Sequence, residues 1–453
     1  MKNTFLKFLI FFSAVVSFIF CSISFAQENN SLRIISLLKE NKYAEIEQIF
    51  ESLLKIDVLD NEGYSGLSRI YERLAEESGI LEFLNGWCNN AASRAAFTAR
   101  GFYYVKYAWS ARGPDYVYTV TDAMRKIFNE RLFLAKSDLE RACVLSIDDP
   151  NPHAELIRVA IGLNLAKEKM EEYFQGAINI DPLHWRAHRN KAVYLMPKWH
   201  GSWNKLFGFS DSVIRERAEL IKEKRNRLPL LLIMAYDELC EKISAQERSQ
   251  KLNNKDDWEK ISDMFERVFS YFPLANQSRL QYAKFACWKG DYGLAKEQLV
   301  FIDPEWEKSE DDGGALARVH NYFGNDYLSK KDFTNAVIEY EMALSYNPNK
   351  SYILDNIAHA YYRMQNADEA INYAEKAASI SPNDFKYQSR LASAYHLKMN
   401  QIGNSAGPHS EALKFREKAL DAYRKCLNLY ADQKEKEKIK NKISGLTWHG
   451  GGH

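Results

Sequence analysis

The chain has 453 residues, with 61 Lys and Arg against 60 Asp and Glu, which gives a formal net charge of +1. This balance lacks the electrostatic signature of a nucleic-acid-binding or anionic-membrane-binding chain, so we expect no nucleic-acid partner. Six cysteines are scattered along the sequence without a CxxC pair, which indicates neither a zinc site nor a thioredoxin-like redox motif. We expect the five cysteines from Cys88 onward to be small residues of the hydrophobic core. The alternative is that some of them form an occasional disulfide.

The N-terminus has the three parts of a secretory signal peptide. Two lysines precede an apolar run over 8–20, and a small-x-small site ends at Ala26. We therefore predict that 1–26 is a signal peptide and that the mature chain is exported, either periplasmic or secreted, without a membrane span after cleavage. The alternatives are an uncleaved anchor over 5–25, which is long enough to span a bilayer, or lipidation at Cys21, which the bulky preceding residue disfavours.

Proline and glycine are sparse beyond the signal segment and mark off segments of helical periodicity. Apolar residues recur every three or four positions between proline-containing turns such as Asp181-Pro182, Asn347-Pro348 and Ser381-Pro382. Strand-like alternation is not found. The pattern predicts an all-α chain.

The helices repeat with a period of 34 residues, which is the separation of Asn347 from Ser381. The equivalent positions are Gly324 and Ala358, Tyr327 and Tyr361, Ala336 and Ala370, Tyr340 and Ala374, and Ala343 and Ala377. Small residues let two antiparallel helices approach closely, and large ones fill the space around them. One helix pair cannot bury both of its faces, so neighbouring pairs must stack.

The repeats at 317–350 and 351–384 resemble those of the tetratricopeptide family. The resemblance implies a helical-repeat solenoid with a concave groove that is lined by the first helix of each pair and that binds a peptide or helix of a partner. A third repeat follows, and we expect a loop at 400–410 to interrupt it. The polar run at 433–442 is expected to form a capping helix.

The N-terminal half resembles, through four segments, an uncharacterised bacterial domain that accompanies such repeats. The segments are Tyr103-Tyr104-Val105, Trp109-x-Ala111-Arg112-Gly113, the helix Arg131-Leu132…Ala135…Asp138-Leu139-Glu140-Arg141-Ala142, and Pro197-Lys198-Trp199-His200-Gly201-Ser202-Trp203. The resemblance implies a divergent helical-repeat lobe and no particular activity. We therefore predict two lobes, at 27–205 and 206–448, and a flexible tail at 449–453, with a hinge near the two tryptophans.

The exposed positions of the first helices define the predicted peptide-binding groove. They are Asn321, Asn325, Asp355, Asn356, His359, Tyr362, Lys386 and Arg390. Some tetratricopeptide proteins grip a C-terminal carboxylate with five residues, and this resemblance places Asn321, Asn325, Asn356, Lys386 and Arg390 at those positions. The first position departs from the family pattern, because it is asparagine instead of lysine. Arginine and lysine that converge on a carboxylate are favourable anion chemistry.

The sequence favours an adaptor or scaffold that binds a protein or peptide, and not an enzyme. It has no GxSxG, P-loop, dinucleotide-binding or HExxH motif, so we expect no cofactor and no metal. The alternative is an enzyme or small-molecule binder whose pocket lies between the lobes, near Trp199, Trp203 and the Tyr103-Tyr104 helix. A purely structural spacer is a third hypothesis. A closed pocket with interacting titratable residues would favour the alternative.

Overall fold

The computed structural model describes residues 30–56, 58–113, 121–145, 148–302, 313–404, 409–429 and 433–447. These residues form α-helices and short connections, and an antiparallel bridge between Leu59 and Ser65 is their one β-type pairing. The all-α prediction is confirmed. Two compact units divide the chain, Met1–Ser278 and Arg279–His453.

The helices of the first unit are α1 30–39, α2 Tyr43–Lys55, α3 Gly66–Glu76, α4 Leu81–Ala91, α5 Arg94–Arg112, α6 Asp122–Leu145, α7 Asn151–Gly162, α8 Lys167–Ile180, α9 Trp185–Tyr194, α10 Trp203–Glu216, α11 Ala218–Glu223, α12 Leu230–Lys242, α13 Ala245–Asn253 and α14 Lys255–Tyr271. Those that follow are α15 Asn276–Lys289, α16 Tyr292–Leu299, α17 Gly313–Ser329, α18 Phe333–Tyr346, α19 Ser351–Arg363, α20 Ala367–Ile380, α21 Phe385–Asn404, α22 His409–Leu429 and α23 Gln433–Thr447. α15 begins at the end of the first unit, and the remaining helices belong to the second.

Five helix pairs in the described residues are each joined by the same type of turn. The pairs are α1–α2, α7–α8, α15–α16, α17–α18 and α19–α20. Each turn holds a residue with left-handed backbone: Asn41, Asn164, Gly290, Lys331 and Gln365. The next residue donates its amide hydrogen to the carbonyl five positions earlier, over 2.8 to 3.0 Å. This is the Schellman arrangement, which satisfies carbonyls at a helix C-terminus. The same hairpin therefore recurs in both units.

The first unit is built on one core that continues past the predicted lobe boundary at residue 205. Leu206 and Val213 of α10 belong to that core, and α10 and α12 both pack against α9. The predicted hinge is a packed turn, because a Cβ at Gly201 would overlap the Leu195 backbone. The indole of Trp199 also meets that of Trp109 edge to face at 5.5 Å. The division falls instead at 278–279.

In the second unit each helix from α17 to α22 packs on the next, and α23 packs on α22. The repeat positions behave as the sequence predicted, since Ala336, Tyr340 and Ala343 are all fully buried. A Cβ at Gly324 would overlap the Tyr340 ring, which explains the small residue there. The predicted loop at 400–410 was too long, because α21 continues to Asn404 and α22 begins at His409.

The predicted signal segment 1–26 and tail 449–453 lie outside the described residues. Along the part of the chain that is described, none of the helices combines the length and apolar character needed to cross a bilayer. No disulfide joins the cysteines of that part, and four of these five are buried, at 88, 240, 287 and 426. Burial raises the pKa of the Cys88 and Cys143 thiols to about 12.

Candidate functional site

The first helices α17, α19 and α21 bring the predicted groove residues of the second unit together. Asn356 on α19 donates its amide Nδ2 to Oδ1 of Asn321 on α17, over 2.8 Å. The Tyr340 hydroxyl donates to Oδ1 of Asn325, also over 2.8 Å. Because its oxygen is engaged by Tyr340, the exposed Asn325 side chain is oriented with its NH₂ group as the remaining hydrogen-bond donor.

The cations of the predicted carboxylate clamp already contact a carboxylate of the protein itself. Asp355 on α19 is fully buried; its Oδ1 accepts a hydrogen bond from Nε of Arg390 at 3.1 Å, and its Oδ2 lies 2.9 Å from Nζ of Lys386. We predicted Asp355 at the exposed floor of the groove, and the structure places it beneath. A buried carboxylate is costly unless it is paired, and this cost explains why both α21 cations lie over it.

His359 and Tyr362, one and two turns of α19 beyond Asp355, are both half-buried. Burial, followed by the positive charge of Arg390, lowers the pKa of His359 to about 4. The imidazole is therefore neutral at physiological pH. Burial and the charge of Asp355 raise the pKa of the Tyr340 hydroxyl, so that it remains a donor to Asn325.

This groove surface is made of Asn325, Asn356, His359, Tyr362, Lys386 and Arg390, and it offers mainly hydrogen-bond donors. Asn321, which we also predicted to be exposed, is buried behind it. Lys386 is 57% exposed and Arg390 is 21% exposed, so both can reach a ligand while holding Asp355. Two cations over one carboxylate leave a net positive charge. The arrangement suits a ligand that supplies acceptors, such as a carboxylate or a peptide carbonyl.

The predicted aromatic pair of the first unit, Trp199 and Trp203, is not one site. Trp199 lines a cavity of about 600 Å³ that lies wholly within the first unit, together with Trp109 and Trp185. Trp203 packs against the core of that unit and does not line the cavity. The reason is local: Ser202 caps α10, accepting from the Lys205 amide, and Trp203 becomes the first residue of that helix.

Two features of these sites are not evident from the sequence. The spacing of Tyr340 indicates packing, and its hydroxyl also orients Asn325. The second feature is Arg189, which lines the cavity of the first unit. A surplus of basic residues over 184–191 was the available signal. Within the described residues, no group of three or more His, Cys, Asp or Glu is placed to hold a metal.

The hairpins and their stacked first helices define a helical-repeat solenoid. Residues 351–384 match the family model of the tetratricopeptide repeat. The chain thus carries the repeat that its 34-residue period predicted.

Relatives share the repeats over a limited length. Small glutamine-rich tetratricopeptide repeat-containing protein 2 of Saccharomyces cerevisiae is 29% identical over 125 residues, 27% of this chain and 32% of that protein. Its Mycosarcoma maydis counterpart is 32% identical over 98 residues, 22% of this chain and 26% of that protein. The chain thus spans about a third or less of these relatives. The crystal structure of yeast Tom70 is similar in fold over 94% of this chain and 96% of that one, with 12% identity and a TM-score of 0.35.

Proposed function

We propose that the protein is an adaptor whose second unit binds a peptide segment of a partner protein in the groove surface, with a carboxylate of that peptide at Lys386 and Arg390. The observation that carries the proposal is the placement of these two cations one turn apart on α21, both in contact with Asp355 of α19. Because Arg390 reaches Asp355 through Nε, the terminal nitrogens of its guanidinium remain for an incoming carboxylate.

The asparagines support the same proposal. Tyr340 and Asn356 fix the side chains of Asn325 and Asn321 before any ligand arrives. A preorganised groove loses less conformational entropy on binding than one whose side chains must be ordered by the ligand.

A library of fluorescent acidic hexapeptides with free C-terminal carboxylates, and the same library with amidated ends, tests the proposal. We expect binding to the full chain that is lost on amidation and is weakened at least tenfold by Lys386→Ala with Arg390→Ala. The matched control is Lys440→Ala with Arg424→Ala, in which Lys440 has the same 57% exposure as Lys386. Equal binding by the variant pair and the control pair would rule out the carboxylate site.

A crosslinker placed at Tyr362 in the native cell identifies the partner. The control position is Lys440 on the polar helix α23, away from the groove surface. Capture of one protein at Tyr362 alone supports the adaptor role, and equal scattered capture at both positions contradicts it.

Export of the adaptor is a further part of the proposal, and it rests on the sequence of 1–26. Mass spectrometry of the protein from fractionated cells should find Gln27 at the N-terminus outside the cytoplasm. A cytoplasmic chain that retains Met1 would contradict export.

A further inference from the structure

The cavity of the first unit has an unusual charge. It measures about 600 Å³, within the range of about 300–1,000 Å³ that is typical of small-ligand pockets. In the described part of the chain, seven arginine and lysine side chains line it, against two carboxylates, those of Glu72 and Asp181. Burial also raises the pKa of Asp181. A basic cavity of this kind attracts anions.

Several of these cations serve the fold, because nearby carboxylates neutralise them. Arg186 contacts Glu72 and lies 3.1 Å from Glu155, and Arg158 lies 2.8 Å from Glu155. Nε of Arg69 lies 3.0 Å from Asp60. A purely structural role is sufficient for these three arginines.

Arg189 is different, since it makes no ion pair with any residue in the described ranges. Its one protein hydrogen bond there is a long contact of 3.5 Å with Oδ1 of the neighbouring Asn190. The side chain is exposed within the cavity. Arg186 and Arg158 line the same cavity, so Arg189 lies among like charges.

Aromatic rings line the same cavity. The guanidinium carbons of Arg69 and Arg227 each lie 3.8 Å from the centre of the Tyr64 ring, and Arg227 also lies 5.3 Å from Trp185. Trp109 and Trp199 form a second aromatic wall. This wall gives a ligand an apolar surface beside the cations.

Unsatisfied polar atoms are also concentrated on the lining. Nε of Arg227, Nε1 of Trp185 and Nε1 of Trp109 are buried and have no hydrogen-bond partner among the residues that the structure describes. Buried polar atoms are nearly always satisfied in folded proteins, so a group of them around one cavity points to a partner in the cavity.

We propose that this cavity is a binding site for a small organic anion, whose phosphate or carboxylate contacts Arg189 and whose apolar or aromatic part lies against Trp109 and Trp199. Arginine presents a planar fork of donors that matches both anionic groups. The site is separate from the groove surface of the second unit, and it does not depend on the adaptor function. It differs from the pocket that the sequence suggested, because all its lining residues belong to the first unit.

Isothermal titration of the full chain with four probes tests the proposal. Phenyl phosphate and phenylacetate carry an anion and a ring, inorganic phosphate carries the anion alone, and benzyl alcohol carries the ring alone. We expect one of the first two to bind at least tenfold more tightly than either partial probe, and the better of the two identifies the anionic group. Failure of both to bind at 10 mM, on the order of the weakest affinity useful for a specific site, would overturn the proposal.

Arg189→Gln provides the second arm, with Arg215→Gln as its matched control. Arg215 is 76% exposed on α10 and lies outside the cavity. We expect Arg189→Gln to weaken binding of the better probe at least tenfold and Arg215→Gln to leave it unchanged. Equal affinities for both variants would overturn the assignment.

The urea midpoint separates a binding role for Arg189 from a structural one. Because Arg189 lies among like charges, Arg189→Gln should leave the midpoint unchanged or raise it. A lower midpoint together with weaker binding would mean that Arg189 supports the fold, and the proposed contact with the ligand would then be wrong.

Discussion

Replacing Asp355 by asparagine separates the two roles of Lys386 and Arg390. Asparagine keeps the size of the side chain and removes its negative charge. The cations lie 2.9 and 3.1 Å from the carboxylate. A ligand carboxylate on their far side would then be about 6 Å from Asp355, which corresponds to a repulsion of about 0.7 to 3 kcal/mol for dielectric constants of about 80 to 20.

We therefore expect Asp355→Asn to bind the best hexapeptide of the acidic library about 3- to 100-fold more tightly, since about 1.4 kcal/mol corresponds to a tenfold change. The fold should become less stable, because both cations lose their partner. They are partly exposed and can be hydrated, so the loss should be about 1–3 kcal/mol, less than for a fully buried pair.

Fluorescence anisotropy measures the peptide affinity, and urea unfolding measures the stability. The control is Asp368→Asn, which removes a 72% exposed carboxylate paired with Lys398 on α21. This change should alter neither quantity by more than a few tenths of a kcal/mol. If Asp355→Asn bound the peptide more weakly, or as the parent does, the peptide carboxylate would not lie at these cations.

Two further predictions concern stability. Gly324→Ala should lower the free energy of unfolding in urea by about 1–3 kcal/mol, because the new methyl group overlaps the Tyr340 ring. The control is Gly293→Ala, whose Cβ would have room and which should be neutral or stabilising in the same assay. Equal effects of the two substitutions would contradict the close approach of Gly324 to Tyr340. Burial lowers the pKa of His188 to about 3, so the unfolded chain takes up a proton below about pH 6.5 while the folded chain does not. Stability should thus fall as the pH drops, by about 2 kcal/mol between pH 7 and 5 for this group. His188→Gln, which can keep the bond to the Pro182 carbonyl, should reduce that loss, and an unchanged pH dependence in urea unfolding would refute the assignment.

The second unit was predictable because its repeats are defined by local contacts of a regular kind. Gly324 and Tyr340 lie in neighbouring helices of one hairpin, and a fixed spacing is sufficient to identify such a pair. The burial of Asp355 was not predictable in the same way. Its exposure depends on where the side chains of α21 lie, and a position on one helix does not specify the partner that a neighbouring helix provides.

The first unit was harder to predict because its sites depend on residues that are distant in the chain. The cavity combines Tyr64, Arg189 and Arg227, which no spacing rule connects. The lobe boundary was misplaced for a related reason. The aromatic sequence around Trp199 has the composition of a junction, but whether it bends or packs is determined by α10, whose Leu206 joins the core of the first unit.

The shared hairpin turn has a consequence for how this protein can change in length. Each Schellman turn is closed by hydrogen bonds between residues only a few positions apart, so it does not require any particular neighbour. In the second unit the segment 351–384 also begins and ends at equivalent points of the period. Duplication of that segment would add one more first helix beside α19 in the same register, and deletion would remove one. The protein can therefore acquire a longer or shorter recognition surface by whole-repeat recombination, without redesign of its turns.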